Sequence, residues 1–280
     1  MRSGLFIIIL IYLALPLVYA QDDNKISTTE VYTEVKTDIK ENVNTDNKED
    51  VKARNLVDKA YKQTLGKTNK STVTMTITRP QWSRTVTMTS WSLGTDYFLI
   101  YINQPAREHG QTFLKRKKNM WNWIPSIGRS IKIPPSMMLS SWMGSDFNNN
   151  ELVKQNSLVN DYTHKMLADK EIEKAPCYQI ELIPLPTAPV VWGKVILYIN
   201  KQYGCIIKAL YYDEKGVLTK QLNGSDITNY GNRHLPATLE MIPVLKKGYK
   251  TVMHTEQSAF NVKGITMRIF TEQHMKRIHL

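Results

Sequence analysis

The chain has 280 residues, with 37 Lys and Arg against 25 Asp and Glu, and a formal net charge of +12. A chain with this excess of positive charge often binds nucleic acid. However, the N-terminal sequence indicates export, which argues against nucleic acid as a partner. Anionic lipid headgroups or an acidic protein partner suit an exported chain better. An excess of solvated lysines that bind nothing is the alternative explanation.

Residues 1–20 predict a secretory signal peptide. Arg2 provides the positive start, residues 5–20 the apolar run, and Val18-Tyr19-Ala20 a cleavage site, so we expect cleavage after Ala20. The alternative is an uncleaved membrane anchor. However, the run is 16 residues long and contains Pro16, whereas a spanning helix needs roughly 20 apolar residues.

Residues 21–49 predict a flexible polar linker, because their few apolar side chains cannot offset the entropy of ordering. An apolar residue does recur there every four positions, so a helix is the alternative. We expect one folded domain over residues 50–280. It begins with a helix from Glu49 to Gly66, in which Ala53, Val57 and Ala60 share one face.

After this helix the apolar period changes to two, which predicts antiparallel strands. The first five predicted strands are residues 72–78 and 85–89, Tyr97–Ile102, Thr112–Lys115 and Met120–Ile124. Residues 125–150 predict an irregular insertion, followed by a short helix over Asn149–Asn156. The later predicted strands are Thr163–Leu167, Cys177–Leu182, Lys194–Asn200, Cys205–Tyr212, Leu218–Tyr230 with a break at Gly224, Ala237–Pro243, Lys250–Phe260 and Met267–Gln273.

Two cysteines in an oxidising compartment favour a disulfide. Cys177 and Cys205 start strands on either side of the predicted strand Lys194–Asn200. Two strand spacings amount to about 9.6 Å, beyond the Cα separation of about 7 Å that a bridge tolerates. The strand prediction therefore favours two free thiols.

No catalytic or metal-binding constellation is present in the sequence. There is no G-x-S-x-G motif, the six His residues never pair at metal spacing, and neither Cys has a C-x-x-C partner. We therefore predict a protein that is not an enzyme and needs no metal or cofactor. Lys115-Arg-Lys-Lys118 predicts a positively charged hairpin tip, which either contacts lipid phosphates or only solubilises a turn.

The positive signal is a set of large, adaptable apolar side chains. Methionine clusters suit surfaces that accept ligands of variable shape. The candidate ligand-binding residues are Met75, Met88, Leu99, Tyr101, Phe113, Trp121, Trp123, Met138, Trp142 and Met143. The alternative is that they pack a sheet against its covering helix.

We predict that the candidate ligand-binding residues line an apolar cavity. The lid predicted over this cavity is Ile124–Phe147, with Gly128 and Gly144 as hinges. Arg129 and Lys132 are candidate contacts for a lipid headgroup or a protein partner.

Several segments together resemble the outer-membrane lipoprotein-sorting (LolA-like) family, in the branch that accompanies exporters of the resistance-nodulation-division (RND) type. They are Met75–Pro80, Ile102–Gly110, Met120–Pro125, Gly128–Ile133, Met143–Phe147 and Tyr211–Gly216. The resemblance implies a β-rich α+β fold: an unclosed, strongly curved antiparallel half-barrel, LolA/LolB-like, capped by helices and a long insertion.

The same resemblance implies a monomeric periplasmic carrier, in effect a chaperone for acyl chains. It would hold the acyl chains of a lipid or of a lipidated protein, make transient contact with membrane surfaces and bind no nucleic acid. The alternative function is a non-enzymatic accessory subunit that docks on an inner-membrane RND-type exporter through an apolar rim.

Overall fold

The computed structural model describes residues 48–149, 151, 157–188 and 190–278. The predicted signal peptide and residues 21–47 of the predicted linker lie outside these ranges, as does most of the predicted helix Asn149–Asn156. Helix α1 occupies residues 48–63, so the last two residues of the predicted linker belong to it. The helix predicted over Glu49–Gly66 is confirmed, and it ends three residues earlier than expected.

In the described part of the chain, thirteen strands form one antiparallel sheet. They are β1 Thr68–Arg79, β2 Trp82–Leu93, β3 Tyr97–Gln104, β4 Thr112–Arg116, β5 Asn119–Ile124, β6 Arg129–Lys132, β7 Tyr162–Ile172, β8 Ala175–Pro184, β9 Lys194–Asn200, β10 Ile206–Tyr212, β11 Leu218–Asn229, β12 His234–Pro243 and β13 Lys250–Phe260. Their order is β6-β5-β4-β3-β2-β1-β13-β12-β11-β10-β9-β8-β7.

This order joins two meanders at the pair β1–β13. Strands β6 and β7 are the two edges and do not pair with each other, so the sheet is an unclosed, curved half-barrel, and the predicted fold is confirmed. A right-handed twist between neighbouring strands accumulates over so many strands and curls the sheet around whatever packs on one side of it.

Two predicted features of the strands are wrong. Residues 129–132, assigned to the irregular insertion, form the edge strand β6, which pairs with β5. Strand β11 also runs through Gly224 without the expected break. A Cβ at Gly224 would lie 2.9 Å from the ring of Pro236 on β12, so this glycine allows a proline to sit inside the sheet.

The segment Met267–Gln273 is not the predicted last strand. It forms a 3-10 turn, Met267–Ile269, and the start of helix α3, Glu272–Arg277. The Thr271 hydroxyl accepts a hydrogen bond from the His274 N–H at 3.1 Å, which caps the helix. This cap and the burial of Phe270 and Met275 favour a helix. Together they outweigh the short apolar–polar alternation, which favours a strand.

Helix α1 defines the inner face of the sheet. Its buried side chains pack on β8, β9 and β10 in the α1 cluster, which includes Ala53, Val57, Ala60, Ile180, Leu182, Val195, Leu197 and Ile199. Asn69 and Ser71 of β1 line a cavity beneath α1. Met75 and Ile77 lie an even number of residues further along β1, so they share that face.

The insertion covers another part of the inner face, and the C-terminal segment covers the outer face. The insertion cluster contains Met75, Ile77, Val86, Met88, Phe113, Met120 and Trp142. The outer cluster contains Trp91, Leu99, Tyr101, Leu114, Phe270 and Met275. Cys177 and Cys205 are buried and free, in agreement with the prediction of no bridge.

The predicted basic hairpin tip is only partly correct. Lys117 and Lys118 are exposed in the β4–β5 turn, but Lys115 is 3% exposed and its Nζ donates to the Thr95 carbonyl. Alternation along β4 places Lys115 on the same face as Phe113, which is also buried. Desolvation lowers the pKa of Lys115 to about 8, against a smaller opposite effect of Asp96.

We expect Lys115→Met to raise the melting temperature at pH 7 by about 2–4 °C, which corresponds to roughly 1 kcal/mol in a domain of this size. The charged ammonium is costly to bury, so its removal stabilises the fold. In wild type the folded state loses this proton near pH 8, while the unfolded chain keeps it to about pH 10.4.

Wild-type stability from this group therefore rises with pH across that window, and the advantage of the variant shrinks. Thermal melts at pH 7 and pH 10 measure the difference. Lys118→Met, at an exposed position in the turn of the same hairpin, is the control and should show no such dependence. An equal advantage at both pH values would contradict the account.

Candidate ligand-binding cavity

A cavity of about 300 Å³ lies between the C-terminal half of α1 and the middle of the inner face. Strands β1, β10, β11, β12 and β13 provide its floor, and α1 and α2 (Ser157–Asn160) provide its roof. Its main apolar lining consists of Ala60, Ala209, Leu222, Leu235, Leu239 and Phe260. The lining residues on β12 and β13 lie toward the turn that joins β11 to β12, and we call this the cavity end of the sheet.

Small side chains create this space. Ala60 on α1 and Ala209 on β10 are both 1% exposed. Larger side chains at these positions would close the gap between helix and sheet, whereas the two alanines leave the gap open. Leu222 and Leu239 point to the same inner face and remain half-buried. The cavity is therefore a gap in helix–sheet packing that is lined by hydrocarbon.

Several polar groups of the lining form hydrogen bonds with groups of other lining residues. The Asn69 amide nitrogen donates to Ser258 Oγ at 2.8 Å, and Ser71 Oγ donates to Asn69 Oδ1 at 2.7 Å. The Tyr230 hydroxyl donates to the Thr255 carbonyl at 3.1 Å. Because buried polar groups that are already paired do not require water, these residues do not make the cavity hydrophilic.

Burial also keeps two titratable groups of the lining neutral. Desolvation raises the pKa of the Cys205 thiol to about 11. Desolvation likewise raises the pKa of the Tyr211 phenol, with smaller contributions from the nearby Glu151 and Tyr162. At neutral pH the described lining therefore presents no ionised side chain to a guest.

The roof is fixed at the C-terminal end of α1. Arg233 donates to the carbonyl oxygens of Lys62 at 3.0 Å and Gln63 at 2.8 Å, and also to Leu65. Its guanidinium carbon lies 4.5 Å from the centre of the Phe260 ring. A cation at a helix C-terminus satisfies unpaired carbonyls and the helix dipole. Arg233 therefore connects the roof to the floor at the cavity end.

A polar depression of about 430 Å³ adjoins the cavity at this end. Tyr230, Ser258 and Phe260 line both spaces. The depression is otherwise formed by Gly231–Arg233 and by Ala259 and Asn261. An apolar interior that continues into a polar opening fits an amphiphile, whose tail enters and whose headgroup stays in water.

The ten predicted ligand-binding residues do not form one wall. Met75, Met88, Phe113, Met138, Trp142 and Met143 belong to or pack on the insertion cluster of the inner face. Leu99, Tyr101, Trp121 and Trp123 lie in or against the outer cluster, beneath Phe270 and Met275. None of the ten is among the described residues that line the cavity. The ten residues are divided between the two faces because neighbouring residues of a strand face opposite sides.

The predicted lid contains an anchored plug. Trp142 is 1% exposed and packs edge-on against Phe113, with ring centres 5.4 Å apart. The Arg84 guanidinium donates to the Met143 carbonyl. Trp142 and its neighbours thus fill this part of the inner face with native side chains, and the apolar cavity of about 300 Å³ lies beside other strands.

Asp146 of the insertion forms a buried ion pair. Arg79 of β1 lies 3.0 Å from its carboxylate, and the two side chains are 9% and 7% exposed. Thr251 donates to the same carboxylate at 2.7 Å, and Arg79 donates to the Gly144 carbonyl at 2.6 Å. This network attaches the insertion to the middle of the sheet.

Arg129 and Lys132, the predicted headgroup contacts, are exposed on the edge strand β6. The Lys132 ammonium lies 5.6 Å from the centre of the Trp121 ring. Strand β6 is at one edge of the sheet, whereas the cavity lies beside β1 and β10–β13. The structure therefore does not bring these two cations to the cavity.

Within the described ranges, no three His, Cys, Asp or Glu side chains are grouped as metal ligands. The helices described there include none that is both long and apolar enough to cross a bilayer.

Solved structures share this fold. A DUF1329 family protein from Desulfovibrio piger has a TM-score of 0.75 and 20% identity, over 81% of this chain and 99% of that chain. An outer membrane lipoprotein-sorting protein domain from Vibrio parahaemolyticus has a TM-score of 0.71 and 22% identity, over 81% and 99%. A LolA superfamily protein from Nitrosomonas europaea has 0.66 and 22%, over 79% and 98%. No curated protein matches the sequence.

An unclosed antiparallel half-barrel with a helix over an apolar gap defines the class: the fold is that of the LolA-like proteins, which include lipoprotein-sorting domains. Residues 94–277 match a family model with the description "Uncharacterized protein". The chain belongs to this family, and it shares the fold of the LolA-like proteins.

Proposed function

We propose that the protein is a periplasmic carrier that holds acyl chains of a lipid, or of a lipidated protein, in the cavity beneath α1 and moves them between membranes without catalysis. The observation that carries this proposal is the apolar gap of about 300 Å³, in which Asn69, Ser71 and Tyr230 already have hydrogen-bond partners. The LolA-like fold and the predicted signal peptide support the periplasmic location and the class of cargo.

The size of the cavity suits a carrier better than a storage protein. A methylene group occupies roughly the volume of a water molecule, about 30 Å³, so roughly ten methylenes fit in about 300 Å³. At about 0.8 kcal/mol each they contribute about 8 kcal/mol, which corresponds to a micromolar affinity before other costs. A chain held this firmly still exchanges.

The alternative, an accessory subunit docked on an RND-type exporter, has one supporting observation: large apolar side chains are exposed at one end of the sheet. Such a subunit would bind a protein in detergent without lipid. A carrier and a docking subunit therefore differ in whether the protein contains lipid after purification.

We expect protein purified from a periplasmic extract to contain co-purified lipid and to bind the fluorescent probe N-phenyl-1-naphthylamine. Native mass spectrometry followed by lipid extraction measures the first, and displacement of the probe by palmitate measures the second. The contrary result is a mass that fits the bare polypeptide, together with no rise in probe fluorescence. That outcome would leave the exporter subunit as the better explanation.

A further inference from the structure

The two ends of the sheet differ in their exposed side chains. Because the sheet is antiparallel, successive turns alternate between the cavity end and the opposite end, which we call the tip end. The large apolar residues exposed at the tip end, in turns, loops or strand starts, are Trp82, Ile127, Leu185, Val217, Val244 and Leu245. In the described chain, the turns at the cavity end expose no large apolar residue.

Two neighbouring turns at the tip end form one surface, which we call the tip patch. It consists of Trp82 after the β1–β2 turn and of Val244, Leu245, Lys246, Lys247 and Tyr249 in the β12–β13 turn. Leu245 is 69% exposed, Trp82 51% and Val244 43%. Strands β1 and β13 are neighbours, so these turns lie side by side.

Contacts between the turns make the tip patch continuous. The Arg79 guanidinium carbon lies 4.9 Å from the Tyr249 ring centre and 5.8 Å from the Trp82 ring centre. A Cβ at Gly248 would lie 3.4 Å from the ring of Pro80 in the other turn. The two aromatic residues therefore flank one cation, and the exposed aliphatic residues belong to the same pair of turns.

The composition of the tip patch matches the interface of an anionic bilayer. Trp and Tyr favour the level of the headgroups, where an apolar ring and a polar edge are both satisfied. Leu245 and Val244 are exposed apolar side chains of the same surface, which gain free energy when they leave water for the acyl boundary. Lys246 and Lys247 are exposed, and no salt bridge to either is formed within the described ranges, so both remain available to lipid phosphates.

We propose that the tip patch docks the protein on the surface of an anionic phospholipid membrane by inserting Val244 and Leu245. This inference deepens the proposed function, because a carrier must meet a membrane, and it rests on that function for its biological meaning. The tip patch and the cavity lie at opposite ends of the sheet, so substitutions in one are expected to leave the other unchanged.

The test is co-sedimentation of the full chain with vesicles of equal parts phosphatidylethanolamine and phosphatidylglycerol, compared with phosphatidylcholine alone. We expect wild type to bind the anionic vesicles. Leu245→Asp should weaken this binding about tenfold or more, because it removes an apolar side chain that is buried in the membrane on docking. Lys246→Gln and Lys247→Gln should each weaken binding about fivefold. Met267→Asp, at an apolar residue exposed to the same degree as Val244, is the matched control.

Absence of binding to anionic vesicles, or equal binding by wild type and Leu245→Asp, would overturn the docking proposal. Retention of a membrane protein in detergent through Leu245, without any vesicle binding, would also overturn it in favour of a protein partner. Displacement of the naphthylamine probe by palmitate is measured on the same variants. If wild type binds the anionic vesicles but neither wild type nor any variant binds the probe, the proposed carrier function is contradicted and the docking proposal is still supported.

Discussion

Replacing Arg79 with methionine is expected to lower the free energy of unfolding by about 3–5 kcal/mol, because one partner of a buried ion pair is removed. The Asp146 carboxylate would keep its hydrogen bond from Thr251 but lose its only described cationic neighbour within salt-bridge distance. The Gly144 carbonyl would also lose a donor at 2.6 Å. Urea denaturation followed by tryptophan fluorescence measures the change.

The double variant Arg79→Met/Asp146→Leu provides the informative comparison. Without either charge the site becomes apolar, so it should recover a large part of the stability that the single variant loses. Lys250→Met, which removes an ion pair with Glu240 whose side chains are 47% and 28% exposed, should cost less than about 1 kcal/mol. A loss below about 1 kcal/mol in Arg79→Met would mean that the insertion is held by other contacts.

Filling the cavity should abolish most ligand binding. In Leu239→Trp the indole enters a gap of about 300 Å³ and excludes several methylenes of a guest. Each excluded methylene is worth about 0.8 kcal/mol, so the loss of two exceeds a tenfold weakening. We expect at least a tenfold rise in the dissociation constant for the naphthylamine probe, measured by fluorescence titration.

Stability separates blocking of the cavity from damage to the fold. Leu239 is half-buried and faces empty space, so the larger side chain should cost little stability. Ile183→Trp adds the same ring at an exposed position on β8 and should bind the probe like wild type. Unchanged probe affinity in Leu239→Trp, with a normal urea midpoint, would place the ligand elsewhere.

The local sequence patterns predicted most of the helices and strands. The prediction was wrong where a local contact favoured a different structure from the one that the pattern indicated. The strands predicted over the apolar run Lys194–Asn200 and over Lys250–Phe260 have the observed bounds of β9 and β13. Strand β6 is short, exposed and adjacent to a turn, so its four residues carry little alternation. The segment Met267–Gln273 alternates, but the capping hydroxyl of Thr271 starts a helix within it.

The site was harder to predict, because a cavity is a property of register and of missing volume. Leu99 and Met88 both look like lining residues in the sequence, yet strand register places them on opposite faces. The residues that create the gap, Ala60 and Ala209, are small, and the sequence patterns predicted them only as parts of a helix face and of a strand. The available signal was an alanine on the apolar face of the first helix and another within a predicted strand, two positions where larger residues normally close the packing.

The location of the bound chain is the central claim, and photo-crosslinking tests it most directly. Protein is incubated with a palmitate analogue that carries a diazirine in its tail, irradiated and digested, and the labelled peptides are sequenced by mass spectrometry. We expect labels on β11–β13, in the peptides that contain Leu222, Leu239 and Phe260, and loss of label in the presence of excess palmitate. Labels confined to the peptides of Met75, Met88 and Trp142, or labels that palmitate does not displace, would contradict the claim.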